Sequence, residues 1–281
     1  MRLRIATRGS ALALAQARLV ADLLGGADLL IVRTAGDASD RPIRELADGA
    51  FVTAVEDAVR RGDADAAVHS MKDLPTGERP GLAIAAVPRR EDPRDVIVVA
   101  DRRGLAGLPR GADVGTSSPR RAAAIRALRP DVTVREIRGN VDTRLRRVAS
   151  GEYGGAVLAL AGLRRLGVAV GDDEVLGTDV ALPAPGQGAL GVQCRAADRA
   201  TQERLSALDD DASRRAVEAE RELLRLLGAS CELALGALAT VDGGAIRLEA
   251  SLDGARVVVR GATPGAAARA AADALGALTR A

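Results

Sequence analysis

The chain has 281 residues, 47% of them hydrophobic and 28% charged, a size that predicts two or three folding units with their own cores. Its 40 basic residues nearly balance 38 acidic ones, and Phe51 and Tyr153 are the only aromatics, which argues against binding nucleic acid by general charge and base stacking. There is no long apolar run to cross a membrane or direct export, and two cysteines are too few for a disulfide scaffold, so a cytoplasmic protein is expected.

Leu3 to Ala6 reads as a strand, and after Thr7-Arg8-Gly9-Ser10 the spacing of Leu12, Ala15, Leu19 and Leu23 predicts a helix with Ser10 as its N-cap. A strand over Leu29 to Val32, a helix over Phe51 to Arg60 and a strand over Ala64 to Val68 follow, the last running into His69-Ser70-Met71-Lys72-Asp73. The alternation restarts after Arg94: strands at Asp95 to Ala100, Ala112 to Val114, Val132 to Glu136 and Ala156 to Leu160, with helices at Pro119 to Leu128 and Val141 to Ala149. The Pro/Gly-rich stretch Pro183 to Gly188 reads as a crossover back to the first unit, ahead of a strand-like run, Ala189 to Cys194. A helix over Asp211 to Leu227, short strands divided by Asp242-Gly243-Gly244 and Asp253-Gly254, and a helix over Gly265 to Leu278 make a small α+β unit. The expected units are residues 1–90 with 189–208, residues 95–182, and residues 211–281.

Polar residues at the carboxyl end of an α/β strand lie where ligands bind, which singles out Lys72 and Asp73; an exposed turn with a casual ion pair is the alternative. Lys72 is the only lysine, so the chain keeps one compact, flexible ammonium where arginine serves everywhere else. The segment Gly115-Thr116-Ser117-Ser118-Pro119-Arg120-Arg121 joins a strand to a helix, bringing backbone N–H groups, hydroxyls and guanidiniums to one spot. Arg138-Gly139-Asn140 and Asp142-Thr143-Arg144 repeat that design, and Thr7 to Ser10 offers it in the first unit. Such junctions suit a ligand with several carboxylates or phosphates, unless the serines only cap and the arginines face water.

His69, the only histidine, is read as packed or hydrogen-bonded in the interior, and no spacing supports a metal site. Gly186-x-Gly188-x-x-Gly191 matches a dinucleotide pattern formally, but it follows a Pro-rich stretch and precedes a strand, the wrong context. Cys194 is expected in the core. Cys231 follows a helix stop, where its thiol is inert and buried, or exposed and able to carry an adduct.

Together these segments resemble the porphobilinogen deaminase family. The likeness runs through Arg4-Ile5-Ala6-Thr7-Arg8, Val68 to Asp73, Arg90 to Asp95, Gly115 to Arg121, Arg138-Gly139-Asn140-Val141, Leu160-Ala161-Gly162-Leu163, Pro185 to Ala189 and Cys231. It implies an α/β fold of two periplasmic-binding-protein-like lobes around a cleft, plus a small α+β C-terminal domain. It also implies an enzyme of tetrapyrrole biosynthesis, a transferase condensing four porphobilinogen molecules into hydroxymethylbilane with loss of ammonia. On the same resemblance Cys231 carries a dipyrromethane by a thioether, and Asp73 is the catalytic aspartate. Arg8, Ser10, Lys72, Ser118, Arg120, Arg121, Arg138, Arg144 and Arg165 bind substrate and cofactor carboxylates, and the protein is a monomer without metal. Two segments depart from the family pattern: Arg44 to Phe51, where Asp48 replaces a positive charge in the lid, and Ala229-Ser230, which replaces a glycine pair. A solute-binding module of two lobes is the rival reading; Asp73 and Cys231, which a sensor does not need, speak against it.

Overall fold

The computed structural model describes residues 2–34, 52–228 and 233–278. Phe51, the expected lid Arg44 to Phe51, and Ala229, Ser230 and Cys231 therefore lie outside the described residues.

The first lobe begins with β1 (Leu3–Arg8), α1 (Ala11–Leu23), β2 (Ala27–Val32), α2 (Thr53–Arg61), β3 (Ala66–Ser70) and β4 (Leu82–Ala86). Strands β1, β2 and β3 run parallel, and the apolar run of β1 is buried at both Ile5 and Ala6, as a strand covered on both faces requires. Helix α1 lies on this sheet through Ala17, Val20 and Ala21. The helix is as expected, but two of the residues whose spacing announced it face outward, Leu19 being 41% and Leu23 54% exposed. The helix is apolar around most of its girth, so two stripes of helical period compete, and the one with smaller side chains approaches the strands more closely.

The second lobe takes β5 (Asp95–Val99), β6 (Asp113–Gly115), α3 (Pro119–Leu128), β7 (Thr133–Arg135), α4 (Val141–Ala149), β8 (Gly155–Ala159), α5 (Leu160–Arg165) and β9 (Val175–Leu176). The chain then returns to the first lobe as β10 (Leu190–Arg195), followed by α6 (Arg199–Ser206). The two five-stranded sheets have matching plans, β2-β1-β3-β10-β4 and β7-β6-β8-β5-β9. In each, three parallel strands are followed by an antiparallel strand that has crossed from the other lobe.

The two crossings touch. The Gln187 amide donates to Pro93 O at 2.7 Å and to Asp95 Oδ1 at 2.8 Å, and Glu91 N–H donates to Gly188 O at 3.3 Å. Gly188 has φ +86°, and a Cβ there would meet the Glu91 carbonyl oxygen, so the close approach needs glycine.

The third unit consists of α7 (Asp211–Leu226), the meander β11 (Gly236–Asp242), β12 (Ala245–Leu252) and β13 (Ala255–Gly261), and α8 (Pro264–Leu278). Both helices pack on one face of the sheet, burying Ala219, Leu223, Ala271 and Leu275 against Ile246, Leu248 and Ala250. Glu220 on α7 is fully buried and joins this unit to the rest of the molecule. Its carboxylate accepts from Arg90 at 2.6 and 3.0 Å, from Gly186 N at 2.7 Å and from Ala239 N at 2.8 Å. Every oxygen of this buried anion is thus compensated, the condition under which such a group is tolerated.

Candidate active site

Strands β1 and β3 are parallel neighbours, so their carboxyl ends, Arg8 and Ser70, open on the same side. Beyond β1, Ser10 caps α1: its hydroxyl accepts from Ala13 N at 3.3 Å, while the Thr7 hydroxyl donates to Ala13 O at 3.1 Å. Beyond β3 the chain turns at once, with Met71 N–H donating to Ala189 O and Asp73 N–H to Ser70 O, both at 3.0 Å. The turn presents Lys72 and Asp73 to an open cavity between the lobes. Arg8, Ser10 and Gln16 line it from the first lobe, Arg165 and Gly162 from the second, and Gln187 and Gly188 from the crossing.

Among the described residues, cations outnumber anions here. Arg8, Lys72 and Arg165 surround the one exposed carboxylate of Asp73. Burial pulls the Lys72 ammonium down from 10.5 to about 8, with Asp73 holding it partly up and Arg121 pushing it further down. Arg165 donates to Gly188 O at 2.6 Å, yet its Nε is buried with no hydrogen-bond partner among the described residues. Burial lowers the pKa of that guanidinium too, against the pull of Glu91.

The second lobe's junctions share this local design. Ser118 caps α3, accepting from Arg121 N at 3.5 Å, and Asn140 caps α4, accepting from Thr143 N at 3.0 Å. Arg120 and Arg121, however, are buried and converge on Asp95: Arg121 Nη2 lies 2.7 Å from Oδ1 and Arg120 Nη1 2.7 Å from Oδ2. Burial pushes the Asp95 carboxyl up, but the two guanidiniums outweigh it and hold the group far below the carboxylate range. Arg144 donates to Gly139 O at 2.8 Å, and burial together with Arg121 lowers it to about 10. Arg138 is half-buried beside Glu136, at 3.2 Å.

Of the residues singled out in the sequence, Arg8, Ser10, Lys72, Asp73 and Arg165 share the cavity wall, whereas Ser118, Arg120, Arg121, Arg138 and Arg144 belong to the second-lobe junctions beside it. Cys231 lies outside the described residues. Sequence reasoning passed over Gln16 and Gln187. Gln16 is the lone polar side chain in the run Ala11 to Ala17, a signal that was available. His69 is buried, and burial, against the pull of Glu56, takes its imidazole down to about 4, so it is neutral at physiological pH. Gly191 lies inside β10 rather than at a helix start, which disposes of the dinucleotide pattern.

A family model described as "Porphobilinogen deaminase, dipyromethane cofactor binding domain" matches residues 3–203. The chain is 50% identical over 261 residues to a porphobilinogen deaminase of Mycobacterium leprae, covering 90% of this chain and 83% of that one. It is 46% identical over 276 residues to that of Roseiflexus castenholzii, covering 94% and 90%. Among solved structures, a periplasmic binding protein of Salmonella typhimurium with high arginine specificity aligns at 15% identity and a TM-score of 0.40, over 74% of this chain and 92% of that one. On the family match and these relatives, the chain belongs to the porphobilinogen deaminase family.

Proposed function

We propose that this protein joins four porphobilinogen molecules, releasing ammonia at each addition, on a dipyrromethane held covalently by Cys231, from which water then cleaves the linear tetrapyrrole hydroxymethylbilane. The observation that carries the reading is the excess of cations, Arg8, Lys72 and Arg165, around Asp73 in one cavity between the lobes.

The residues present fit a group bearing several carboxylates. The buried Arg165 Nε lacks a partner among the described residues, and Lys72 is held in a setting that an added carboxylate would stabilise. When bound, the dipyrromethane supplies the nucleophilic ring carbon from which the chain grows. Arg8, Ser10, Lys72 and Arg165 bind carboxylates from the cavity wall; Ser118, Arg120, Arg121, Arg138 and Arg144 do so from the second lobe. Arg120 and Arg121 share a single anion, so their junction keeps a net positive charge for this purpose.

Asp73 acts on the substrate. As the C–N bond of porphobilinogen breaks and ammonia departs, positive charge spreads to the pyrrole nitrogen, and a fixed carboxylate beside it lowers the barrier. The same carboxylate holds the ring N–H in the orientation that the next bond needs.

Residues 1–90 with 189–208, 95–182 and 211–281 are the three units of this reading, supported by the three separate sheets. Among the described residues no helix is long and apolar enough to cross a membrane. Two cysteines, too few for a disulfide scaffold, support a cytoplasmic protein, and light scattering checks whether it is a monomer.

The test is direct. Purified protein incubated with porphobilinogen releases ammonia and a linear tetrapyrrole, and its intact mass exceeds the chain mass by a dipyrromethane, an excess that vanishes in Cys231→Ser. No ammonia release would refute the activity, and an unmodified mass in active protein would remove Cys231 from its role.

A further inference from the structure

Helix α7 carries a cation outside the cavity just described. Arg221 reaches from the third unit into the first lobe and donates through Nη1 to the carbonyls of Met71 and Leu74, each at 2.7 Å, and through Nη2 to that of Pro75 at 2.7 Å. Those carbonyls bracket Lys72 and Asp73. Gly186, with φ +74°, also lies against the turn, so that even a Cβ there would stand 3.1 Å from the Met71 carbonyl carbon.

Docking the third unit does not call for this arginine. One residue earlier on the same helix, Glu220 already joins Arg90 with every oxygen compensated. Arg221, by contrast, makes its hydrogen bonds to neutral carbonyls, and burial lowers its pKa. Keeping a cation there costs more desolvation than an apolar residue on a packed helix would. The rigid fork of a guanidinium can bridge carbonyls several residues apart, which no apolar side chain does.

We propose that Arg221 is a positioning residue: by holding the carbonyls of Met71, Leu74 and Pro75 it sets the direction in which Lys72 and Asp73 point into the cavity. It also ties that direction to α7, the helix that precedes Cys231 in the chain. The inference rests on the functional reading above, in which Asp73 acts on the substrate.

The test compares cofactor-loaded Arg221→Lys and Arg221→Ala with the unaltered holoenzyme. Lysine keeps the charge but replaces the fork by a single ammonium, so kcat should fall about 10- to 100-fold, the scale of an ångström-sized misplacement, with KM within about threefold. Amide exchange in residues 71–75 should quicken while the cores of both lobes keep their protection. Millimolar guanidinium added to Arg221→Ala should restore part of kcat; should that variant not fold, Arg221→Lys carries the test alone. A normal kcat in Arg221→Lys, a loss confined to KM, or a loss proportional to missing cofactor would overturn the proposal. Failure of the functional reading would show separately, as an unaltered holoenzyme that consumes no porphobilinogen, with amide exchange still reporting whether Arg221 holds the turn.

Discussion

The two lobes use the same local recipe and place their charges differently. In each, a parallel strand runs into a hydroxyl-capped helix with an arginine at the junction, and an antiparallel strand from the other lobe lies alongside. The first residue of that crossing strand differs between them. Asp95 opens β5 opposite Ala159, the last residue of β8; Leu190 opens β10 opposite Ser70, the last residue of β3. A carboxylate at this position in the second lobe gathers Arg120 and Arg121 into the interior. The matching position in the first holds a leucine, and Lys72 and Asp73 there line the cavity. The crossing strand thus opens on a carboxylate that pairs with two buried arginines in one lobe and on an apolar side chain in the other.

The comparison can be broken most forcefully at Asp95. In Asp95→Leu the second lobe acquires the first lobe's residue, and two buried guanidiniums lose their counter-ion, which should cost about 3–5 kcal/mol in urea unfolding. A loss below about 1 kcal/mol would mean that the pair is not the lobe's electrostatic keystone. Asp73→Asn should do the reverse, leaving stability within about 0.5 kcal/mol because the group is exposed, while kcat drops about 100- to 1000-fold. Stopped-flow consumption of porphobilinogen reads this; turnover within a factor of three would remove Asp73 from the chemistry.

A gentler test is pH. Lys72 sits at about 8 rather than 10.5, so it is charged below pH 8 and becomes neutral as pH rises through that value. Its hold on substrate carboxylate is therefore lost on the alkaline side, and kcat/KM should fall by up to tenfold per unit above about pH 8. Lys72→Arg should abolish that limb; an alkaline limb that persists unchanged belongs to another group.

What the sequence revealed follows the range of the interactions. The cap Ser10 bonds within three residues, so it was legible, as were the helices Pro119–Leu128 and Val141–Ala149 to the residue. The buried face of α1 was not, because two apolar stripes fit one period. The strand Leu82–Ala86 escaped notice because its only sheet neighbour is β10, more than a hundred residues later. The burial of Arg120 and Arg121 was hidden for a related reason: their spacing announces an anion site, but which anion depends on Asp95, 26 residues before Arg121. Arg221 left no local trace, since its partners are carbonyls about 150 residues away and carbonyls have no letter in a sequence.

The strand order of the first lobe also bears on how the chain is made. Strand β10 lies between β3 and β4, so that sheet cannot be closed until residue 195 has been synthesised. The second lobe's strands span 95–176 without interruption, so on a ribosome it can complete its sheet first. Until then the nascent first lobe carries two bare strand edges, β3 and β4, a pairing surface for other chains. Its last strand arrives only after the neighbour that will form the opposite wall of the cavity has already been built.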